Sequence, residues 1–383
     1  MLTRLMHGIR TGAMPWLPES GAMPDDHPLV QTVRKKAEGL LYRMTCVEEN
    51  PLELRWDHFV RAWLRLADQP APENVYQMAR AFSGGELSEA IGAAANSVFL
   101  SGYEAQPDST EGWVAEVPAR DFKPFDVFGL KTGARLRPIP RGGTARHAAV
   151  GVKAEAVKIT RFGRVYTIDE QDLLDSGDSV AAWLRPLEEL GRAARRVKGD
   201  LVYSLILENP TLAADNLALF EAGTHGNLGT AALGTAGLGA AVAAIAGQTL
   251  TDERGQRIHL NLRPKALVVP PALWETARET EAKLWIGDGA ELAIRTESRL
   301  GPAGLADPVT NHVRTGSDTN WLLVAGPGDA PSVVVSYLNG QSNPRIRRAE
   351  LNRGQWGIGW DIAHDVAAAA VDYRGVYWSS GTG

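Results

Sequence analysis

The residues best suited to chemistry are three that lie close together late in the sequence: Asp361, His364 and Asp365. A carboxylate beside an imidazole is a usual arrangement for general acid–base catalysis. Successive side chains of a β-strand point to opposite faces, so a strand here would separate His364 from Asp365. The pattern therefore favours an exposed or hydrogen-bonded histidine over a catalytic pair.

Three glycines, Gly234, Gly237 and Gly239, precede a helix-like segment and superficially suggest phosphate binding. In the dinucleotide fingerprint such glycines follow directly on a strand, and no strand is predicted immediately before this segment. The sequence also has no Walker-type phosphate loop, no HExxH pair and no Cys/His cluster. We therefore assign no catalytic, cofactor-binding or metal-binding residue and no cofactor. Because these motifs are absent, the sequence predicts a protein that is not an enzyme.

The composition is that of an ordinary soluble protein. The chain has 383 residues, of which 44% are hydrophobic and 22% charged, and its net charge is −5. This balance provides no global basic surface for nucleic acid. Cys46 is the single cysteine, which excludes an internal disulfide and suits a reducing cytoplasm. No apolar run reaches the roughly 20 residues that a membrane helix needs, so no membrane partner is expected. The first 20 residues also lack the apolar core of a signal peptide.

The element that must position the rest is a long helix predicted over residues 186–208, within a segment at 176–210. Pro186 is expected to open it, with Glu188 and Glu189 in the first turn, and the Asn209–Pro210 pair is expected to end it. Its apolar residues recur at helical spacing, and four basic residues are expected to stay in water on the other side. The apolar set is Leu187, Leu190, Ala194, Val197, Leu201, Val202, Leu205 and Ile206; the basic set is Arg192, Arg195, Arg196 and Lys198.

Residues 1–110 are predicted to form a segmented helical arm that includes a helix at 87–103, and residues 111–175 a long β-hairpin. The arms of the hairpin are residues 122–137 and 152–160, and residues 164–168 continue the second arm. Each arm is long enough to reach beyond its own domain, so we expect the tip to lie on an adjacent subunit. A hairpin folded back on its own sheet is the equal alternative. The basic residues near the tip are Arg135, Arg137, Arg141, Arg146 and His147.

The remaining sequence alternates helices and strands. Helices are predicted at 236–246 and 272–283, and strands at 258–262, 265–269, 321–325 and 332–338. This alternation indicates an α/β unit at 211–345. Residues 346–383 are expected to supply strands that return to the long helix.

Seven local stretches, in this order, resemble the Mu-like major head subunit family of tailed phages. They are RFGRVYTI (161–168), ELGRAA (189–194), GDLVY (199–203), THGNL (224–228), LRPKALVVPP (262–271), DTNW (318–321) and VDYRG (371–375). The resemblance implies an α+β protein of the Hong Kong 97-type capsid fold. In that fold residues 111–175 form an extended loop, and residues 211–345 the axial domain. The helix at 176–210 and the strands at 346–383 form the peripheral domain.

The same resemblance implies a structural function. The chain would be the major capsid subunit of a tailed phage and would assemble with itself, as hexamers and pentamers, into an icosahedral shell around double-stranded DNA. It would contact the DNA loosely, meet portal and decoration proteins, be assembled in the host cytoplasm and end in the virion. Two alternatives stay open. One is a nanocompartment or gene-transfer particle shell of the same fold, and the other is an α/β enzyme with an unrecognised site.

Overall fold

The structure is a computed structural model that describes residues 86–130, 132–133, 138–139, 141–142, 144, 152–169, 180–252, 254–284, 292–351, 354 and 357–383. The predicted helical segments before residue 86, and the tip residues Arg135, Arg137, Arg146 and His147, lie outside these ranges. The described chain forms two compact units. The first comprises the described parts of residues 1–106, 163–195 and 343–364, and the second comprises those of 107–162, 196–342 and 365–383.

The described elements mix helices and strands, as the sequence predicted. The helices are α1 (Glu86–Ala105), α2 (Val180–Glu208), α3 (Thr235–Ala246) and α4 (Trp274–Leu284), with short 3-10 turns at Pro271–Leu273 and Ser298–Leu300. The strands up to residue 170 are β1 (Ala115–Ala119), β2 (Phe125–Leu130), β3 (Thr132–Gly133), β4 (Val152–Val157) and β5 (Thr160–Asp169). The next are β6 (Leu228–Gly229), β7 (Thr249–Asp252), β8 (Arg257–His259), β9 (Pro264–Val269), β10 (Ala293–Thr296), β11 (Leu305–Ala306) and β12 (Val313–Arg314). The last are β13 (Trp321–Ala325), β14 (Val333–Leu338), β15 (Arg345–Arg348), β16 (Gly357–Ala370) and β17 (Val376–Ser379).

The long helix α2 starts earlier than predicted. It begins at Val180, and Pro186 lies inside it rather than at its start. The proline removes one helical hydrogen bond, but the alanines and leucine before it are strong helix formers and continue the helix across that position. Glu188 and Glu189 are therefore not in the first turn, and Glu188 instead pairs with Arg192 one turn later, at 2.6 Å.

The predicted end of α2 is confirmed, and the structure gives its reason. Asn209 adopts the left-handed conformation (φ 53°) that terminates a helix. Its amide side chain also accepts a hydrogen bond from the Phe220 backbone N–H at 2.7 Å and donates one to the Phe220 carbonyl at 3.1 Å. Asn209 thus stops the helix and fixes the loop that follows.

In the first unit, two glycines bring α1 and α2 into backbone contact. A Cβ atom on Gly102 would lie 2.1 Å from the Glu188 carbonyl oxygen, and one on Gly191 would lie 2.0 Å from the Phe99 carbonyl oxygen. Only glycine permits this approach. Strand β16 pairs there with β15 and with β5. The prediction that residues 164–168 continue the hairpin is therefore wrong, because they pair with β16 instead.

The second unit has a five-stranded sheet in the order β10–β9–β13–β17–β6 and a small sheet in the order β3–β7–β8. Strand β14 pairs antiparallel with the last residues of β16 and parallel with β1. Buried residues of α2 pack here against β13, β14 and β16. The C-terminal strand β17 shares this core through Val376, but it pairs with β13 and β6. The C-terminal strands β16 and β17 therefore pack against the long helix, as expected. Strand β17, however, pairs with strands of the 211–345 segment.

Candidate functional site

The three residues suggested first for chemistry have separate structural partners. His364 is buried, with Nδ1 3.1 Å from the Ala194 carbonyl oxygen and its ring edge-on to Tyr103. Asp361 accepts a hydrogen bond from Arg347 at 3.0 Å. Asp365 holds Arg161 through two hydrogen bonds of 2.7 and 3.0 Å. Each carboxylate therefore pairs with an arginine of a neighbouring strand or segment, and the histidine bonds to a backbone carbonyl.

Of the three glycines, Gly234 comes just before α3 while Gly237 and Gly239 lie within it, and only Gly237 approaches another part of the chain closely. A Cβ atom on Gly237 would lie 2.4 Å from the Ala232 carbonyl oxygen, so this position needs glycine to let the helix start follow its loop closely. The preceding strand β6 has only two residues and ends at Gly229. Within the described residues, no group of three or more acidic, histidine or cysteine side chains has the arrangement of a metal site. No described helix is both long enough and apolar enough to cross a membrane.

Two cations on or beside α2 are largely buried in the second unit. The Lys198 ammonium lies 3.1 Å from both Asp108 and Glu116, and its side chain is 6% exposed. Arg299 also approaches the helix and bonds Asp200 at 2.6 Å. The prediction that Lys198 faces water is wrong, because two carboxylates from a distant part of the sequence enclose it. Lys198 therefore connects α2 to the segment that carries Asp108 and Glu116, and its role is structural.

The most unusual surface is the antiparallel pair of β2 and β4, here called the ribbon (Phe125–Leu130 with Val152–Val157). Its predicted pairing is confirmed. Of the two arrangements that the sequence left open, the described part of the ribbon shows the one folded back on the body. Strand β3, which follows β2, pairs with β7, and Val127 and Val157 are buried in a core cluster with Val371.

The two faces of the ribbon depart from the usual pattern. Its outward face (Asp126, Phe128, Val152, Ala154, Ala156) is exposed and mostly apolar, with Phe128 60% and Val152 55% exposed. Its inward face (Val127, Gly129, Lys153, Glu155, Val157) is buried and includes two charges. A strand on a protein surface normally turns its polar side chains to water and its apolar ones to the core. The exposed apolar face therefore marks this ribbon as an interaction surface.

Beneath the inward face lies a cluster of charged and aromatic groups from the loop after α2 and the turn before β17. The His225 ring stacks on Tyr373 at 3.7 Å, and its Nε2 lies 3.0 Å from Asp215 Oδ2. Its Nδ1 lies 3.3 Å from the Leu219 carbonyl oxygen. Lys153 of the ribbon enters this cluster, with Nζ 3.9 Å from Asp215 Oδ2 and 5.1 Å from the centre of the Tyr373 ring.

Further contacts complete the cluster. Glu155 accepts a hydrogen bond from the Ala214 backbone N–H at 3.2 Å. Arg374 binds Asp372 at 2.8 Å and donates to the Thr249 carbonyl at 3.2 Å. The charged inward face of the ribbon therefore rests on a body surface that is itself rich in charge.

The pKa values of two residues in this cluster, Lys153 and Asp215, are shifted. Burial lowers the pKa of the Lys153 ammonium, and the carboxylates of Asp372, Asp215 and Glu155 only partly offset this. Burial by itself would raise the pKa of Asp215, but the hydrogen bonds from His225 and from the Leu217 N–H outweigh it, so that this pKa is lowered. Asp215 is thus held as a carboxylate, whereas the charge of Lys153 is disfavoured by its surroundings.

The sequence predicted the hairpin and its basic tip but not this cluster. Of the tip residues, Arg141 is described and is exposed, as is the neighbouring Ile139. The available signal was the alternation at 152–157, in which valine and alanine alternate with Lys153 and Glu155. Which of the two faces turns inward depends on Asp215, His225 and Arg374, and these residues lie far away in the sequence.

A mixed helix–strand body with an apolar strand pair on its surface is typical of a protein that associates with other copies. A model of the phage capsid protein family matches residues 153–379, which is more than half of the sequence. The chain belongs to this family of phage capsid proteins and is a subunit of a capsid shell. A search of curated proteins found no match.

Solved structures with a similar chain course were also found. The virus-like particle from Pyrococcus furiosus is 10% identical, with a TM-score of 0.46, over 77% of this chain and 99% of that chain. The mature capsid of bacteriophage PhiM1 is 14% identical, with a TM-score of 0.46, over 70% of this chain and 85% of that chain. The capsid of a native GTA particle is 12% identical, with a TM-score of 0.41, over 73% and 95%. Family membership rests on the sequence match and not on these likenesses.

Proposed function

We propose that this chain is the major capsid subunit of a tailed phage of the Mu-like type, with the Hong Kong 97-type fold. Copies assemble as hexamers and pentamers into an icosahedral shell in the host cytoplasm, and the shell encloses double-stranded DNA in the virion. The DNA contact is loose, and portal and decoration proteins join the shell. In this proposal residues 1–110 are an arm, 111–175 the extended loop and 211–345 the axial domain. Residues 176–210 and 346–383 form the peripheral domain.

The observation that carries the proposal is the exposed, mostly apolar outward face of the ribbon. Its exposed side presents Phe128 and Val152, which are diagonal neighbours on one face of the strand pair. An apolar face of this kind is covered in the working state of a protein, and a shell subunit is surrounded by copies of itself. We therefore infer that the outward face of the ribbon lies against an adjacent subunit, together with the tip that bears Arg141, Arg146 and His147.

Repetition makes modest contacts sufficient. An exposed ion pair at the tip is worth about 0–1 kcal/mol, and the apolar contact of the ribbon adds to it. In a closed shell every subunit makes the same contact, so that each interface can be weak while the particle is stable. The net charge of −5 suits a shell that confines DNA without gripping it along its length.

The test replaces residues 139–148 by a short Gly-Ser turn. We expect folded, soluble subunits that sediment as small species, because the tip and its contacts with the neighbour are lost. Arg141→Ala is the matched control: it removes one ion pair and should leave closed particles. Intact shells from the turn variant would remove the tip from the assembly mechanism. Nuclease-protected double-stranded DNA inside wild-type particles from infected or induced cells would support the phage head, and a protein cargo would support a nanocompartment instead.

A further inference from the structure

One short segment of the second unit has an unusually high density of positive charge. Residues 254–265 cover the turn after β7, strand β8 and the start of β9. They contain no aspartate or glutamate, in a chain whose net charge is −5, and they include five basic residues: Arg254, Arg257, His259, Arg263 and Lys265. All five are exposed. A local basic surface is therefore present on a protein that is acidic as a whole.

The packing of this segment decides which of its side chains face water. Leu250 and Ile258 are paired across β7 and β8, next to Gly133 of β3, where a Cβ atom would lie 2.8 Å from Ile258 Cδ1. Further along, Leu260 and Leu262 pack in the core cluster that includes buried residues of α3. The residues that alternate with these apolar side chains are turned outwards: Arg257, His259, Asn261, Arg263 and Lys265.

The exposed cations form a row, here called the basic stripe (Arg257, His259, Arg263 and Lys265, with Arg254 in the turn before them). At about 3.3 Å per residue, the segment from Arg257 to Lys265 spans at most about 26 Å. The left-handed backbone of Asn261 (φ 48°) makes the span shorter than this limit. The turn is held by the buried Asp252, whose carboxylate accepts hydrogen bonds from the N–H groups of Arg254 and Gln256, both at 2.8 Å. Hydrogen bonds and apolar packing therefore fix the backbone that carries the stripe.

The charge of the stripe indicates the chemistry of its partner. Strand β8 is at the edge of its sheet, and charges of either sign would protect such an edge from pairing with another chain, so this need does not explain a row of one sign. Among the described helices of the second unit α4 has the most acids, but Arg278 and Lys283 lie among them, and Lys283 pairs with Glu279 at 3.3 Å. A second copy therefore offers no uniformly acidic helix to the stripe. Phosphate groups match it better, because a guanidinium group binds phosphate through two parallel N–H groups.

We propose that the basic stripe binds the phosphate backbone of double-stranded DNA, without regard to base sequence. Duplex DNA carries about one negative charge per 1.7 Å of its axis, so a row of this length meets several phosphates. The use of the stripe rests on the proposed function: in a filled shell each subunit makes a few such contacts with the packaged DNA. Contacts of this kind are weak one by one and allow the DNA to slide, so the stripe is compatible with loose packaging.

The first test measures the binding of a short fluorescent DNA duplex to unassembled wild-type subunits by fluorescence anisotropy, at salt concentrations from about 50 to 200 mM. The logarithm of the binding constant should fall linearly with the logarithm of the salt concentration, with a slope of about −3 to −4 for about four phosphate contacts. Two duplexes of unrelated sequence should bind equally well, because the phosphate backbone is the same in both. Absence of binding at low salt, or binding that does not depend on salt, would overturn the proposal.

The second test removes charge from the stripe. The double variant Arg257→Gln, Arg263→Gln should bind the duplex at least about tenfold more weakly at low salt and reduce the slope by about two. Arg257→Lys with Arg263→Lys keeps both charges and should keep the slope, which separates the loss of charge from a loss of folding. The matched control, Arg278→Gln with Lys283→Gln, removes the same charge from exposed positions of α4 and should leave the slope nearly unchanged. An equal loss in this control would mean that only net charge matters and would contradict the proposal.

Assembly of the same variants separates this proposal from the proposed function. The variant Arg257→Gln, Arg263→Gln should still form closed particles, because the stripe binds DNA and not a neighbouring subunit. If it fails to assemble but binds the duplex as the wild type does, the stripe contacts another subunit and the proposal is wrong. A map of DNA-filled shells with the stripe on the outer surface would also overturn it. Wild-type subunits that bind DNA as expected but form no shells would support the stripe and contradict the proposed function.

Discussion

Truncation of Phe128 tests the outward face of the ribbon quantitatively. An aromatic side chain offers about 150–250 Å² of surface, and Phe128 is 60% exposed, so about 90–150 Å² remains in water in the isolated subunit. At about 25 cal/mol per Å², full coverage by a neighbour is worth about 2–4 kcal/mol per contact. Phe128→Ala removes most of this. Because about 1.4 kcal/mol is a factor of ten, the subunit concentration needed for assembly should rise roughly tenfold to a few hundredfold.

The folding stability of the unassembled subunit should change little, because an exposed side chain contributes little to it. The assay is light scattering against subunit concentration, with the melting temperature of unassembled protein measured in parallel. Phe128→Leu is the matched control: it keeps much of the apolar area and should shift assembly far less. An unchanged assembly concentration in Phe128→Ala would show that no neighbouring subunit covers this side chain. So would a melting temperature lowered as much as by a core truncation, because Phe128 would then be packed within its own subunit.

Three further changes test the body of the subunit. Leu201→Asp places an unpaired carboxylate in the core beside α2, at a cost of several kcal/mol that is comparable to a domain's whole stability of about 5–15 kcal/mol; soluble, normally melting protein would contradict this. Ser336→Ala removes a fully buried hydroxyl that finds no hydrogen-bond partner among the described residues, so unfolding by denaturant should show about 1 kcal/mol of added stability, not a loss. Burial alone would raise the pKa of Asp108, but Lys198 and hydrogen bonds from Thr110 outweigh it and lower the pKa below its ordinary 3.8. The stabilisation that the Asp108 carboxylate provides is complete above pH 3.8 and is lost as the pH falls through the lowered pKa. Asp108→Asn should therefore weaken the loss of stability below about pH 4. The same fall in stability with pH in wild type and variant would contradict the assignment.

Elements defined by local signals could be predicted from the sequence. Asn209 before a proline ends α2, the apolar run at 264–269 is a buried strand, and strands β13 and β14 follow their apolar patterns. The antiparallel pairing of β2 with β4 also follows from two strand patterns around a turn cluster. In each case the deciding residues are neighbours in the sequence.

Features set by distant residues could not be predicted. The charge of Lys198 suggested an exposed face, but Asp108 and Glu116 lie more than 80 positions earlier and bury it. The pairing of β3 with β7 joins residues more than 100 positions apart, and nothing local in two residues of strand indicates it. The same holds for the candidate site, where the inward direction of Lys153 is fixed by the loop after α2 and the turn before β17.

In the proposed closed shell, the ribbon of each subunit lies on its neighbour. Electron cryo-microscopy of the full-length protein, purified after expression by itself, tests it most directly. We expect closed icosahedral particles in which an adjacent subunit covers Phe128 and Val152. Monomers or small oligomers at high protein concentration, or shells in which the outward face of the ribbon is left in solvent, would contradict it.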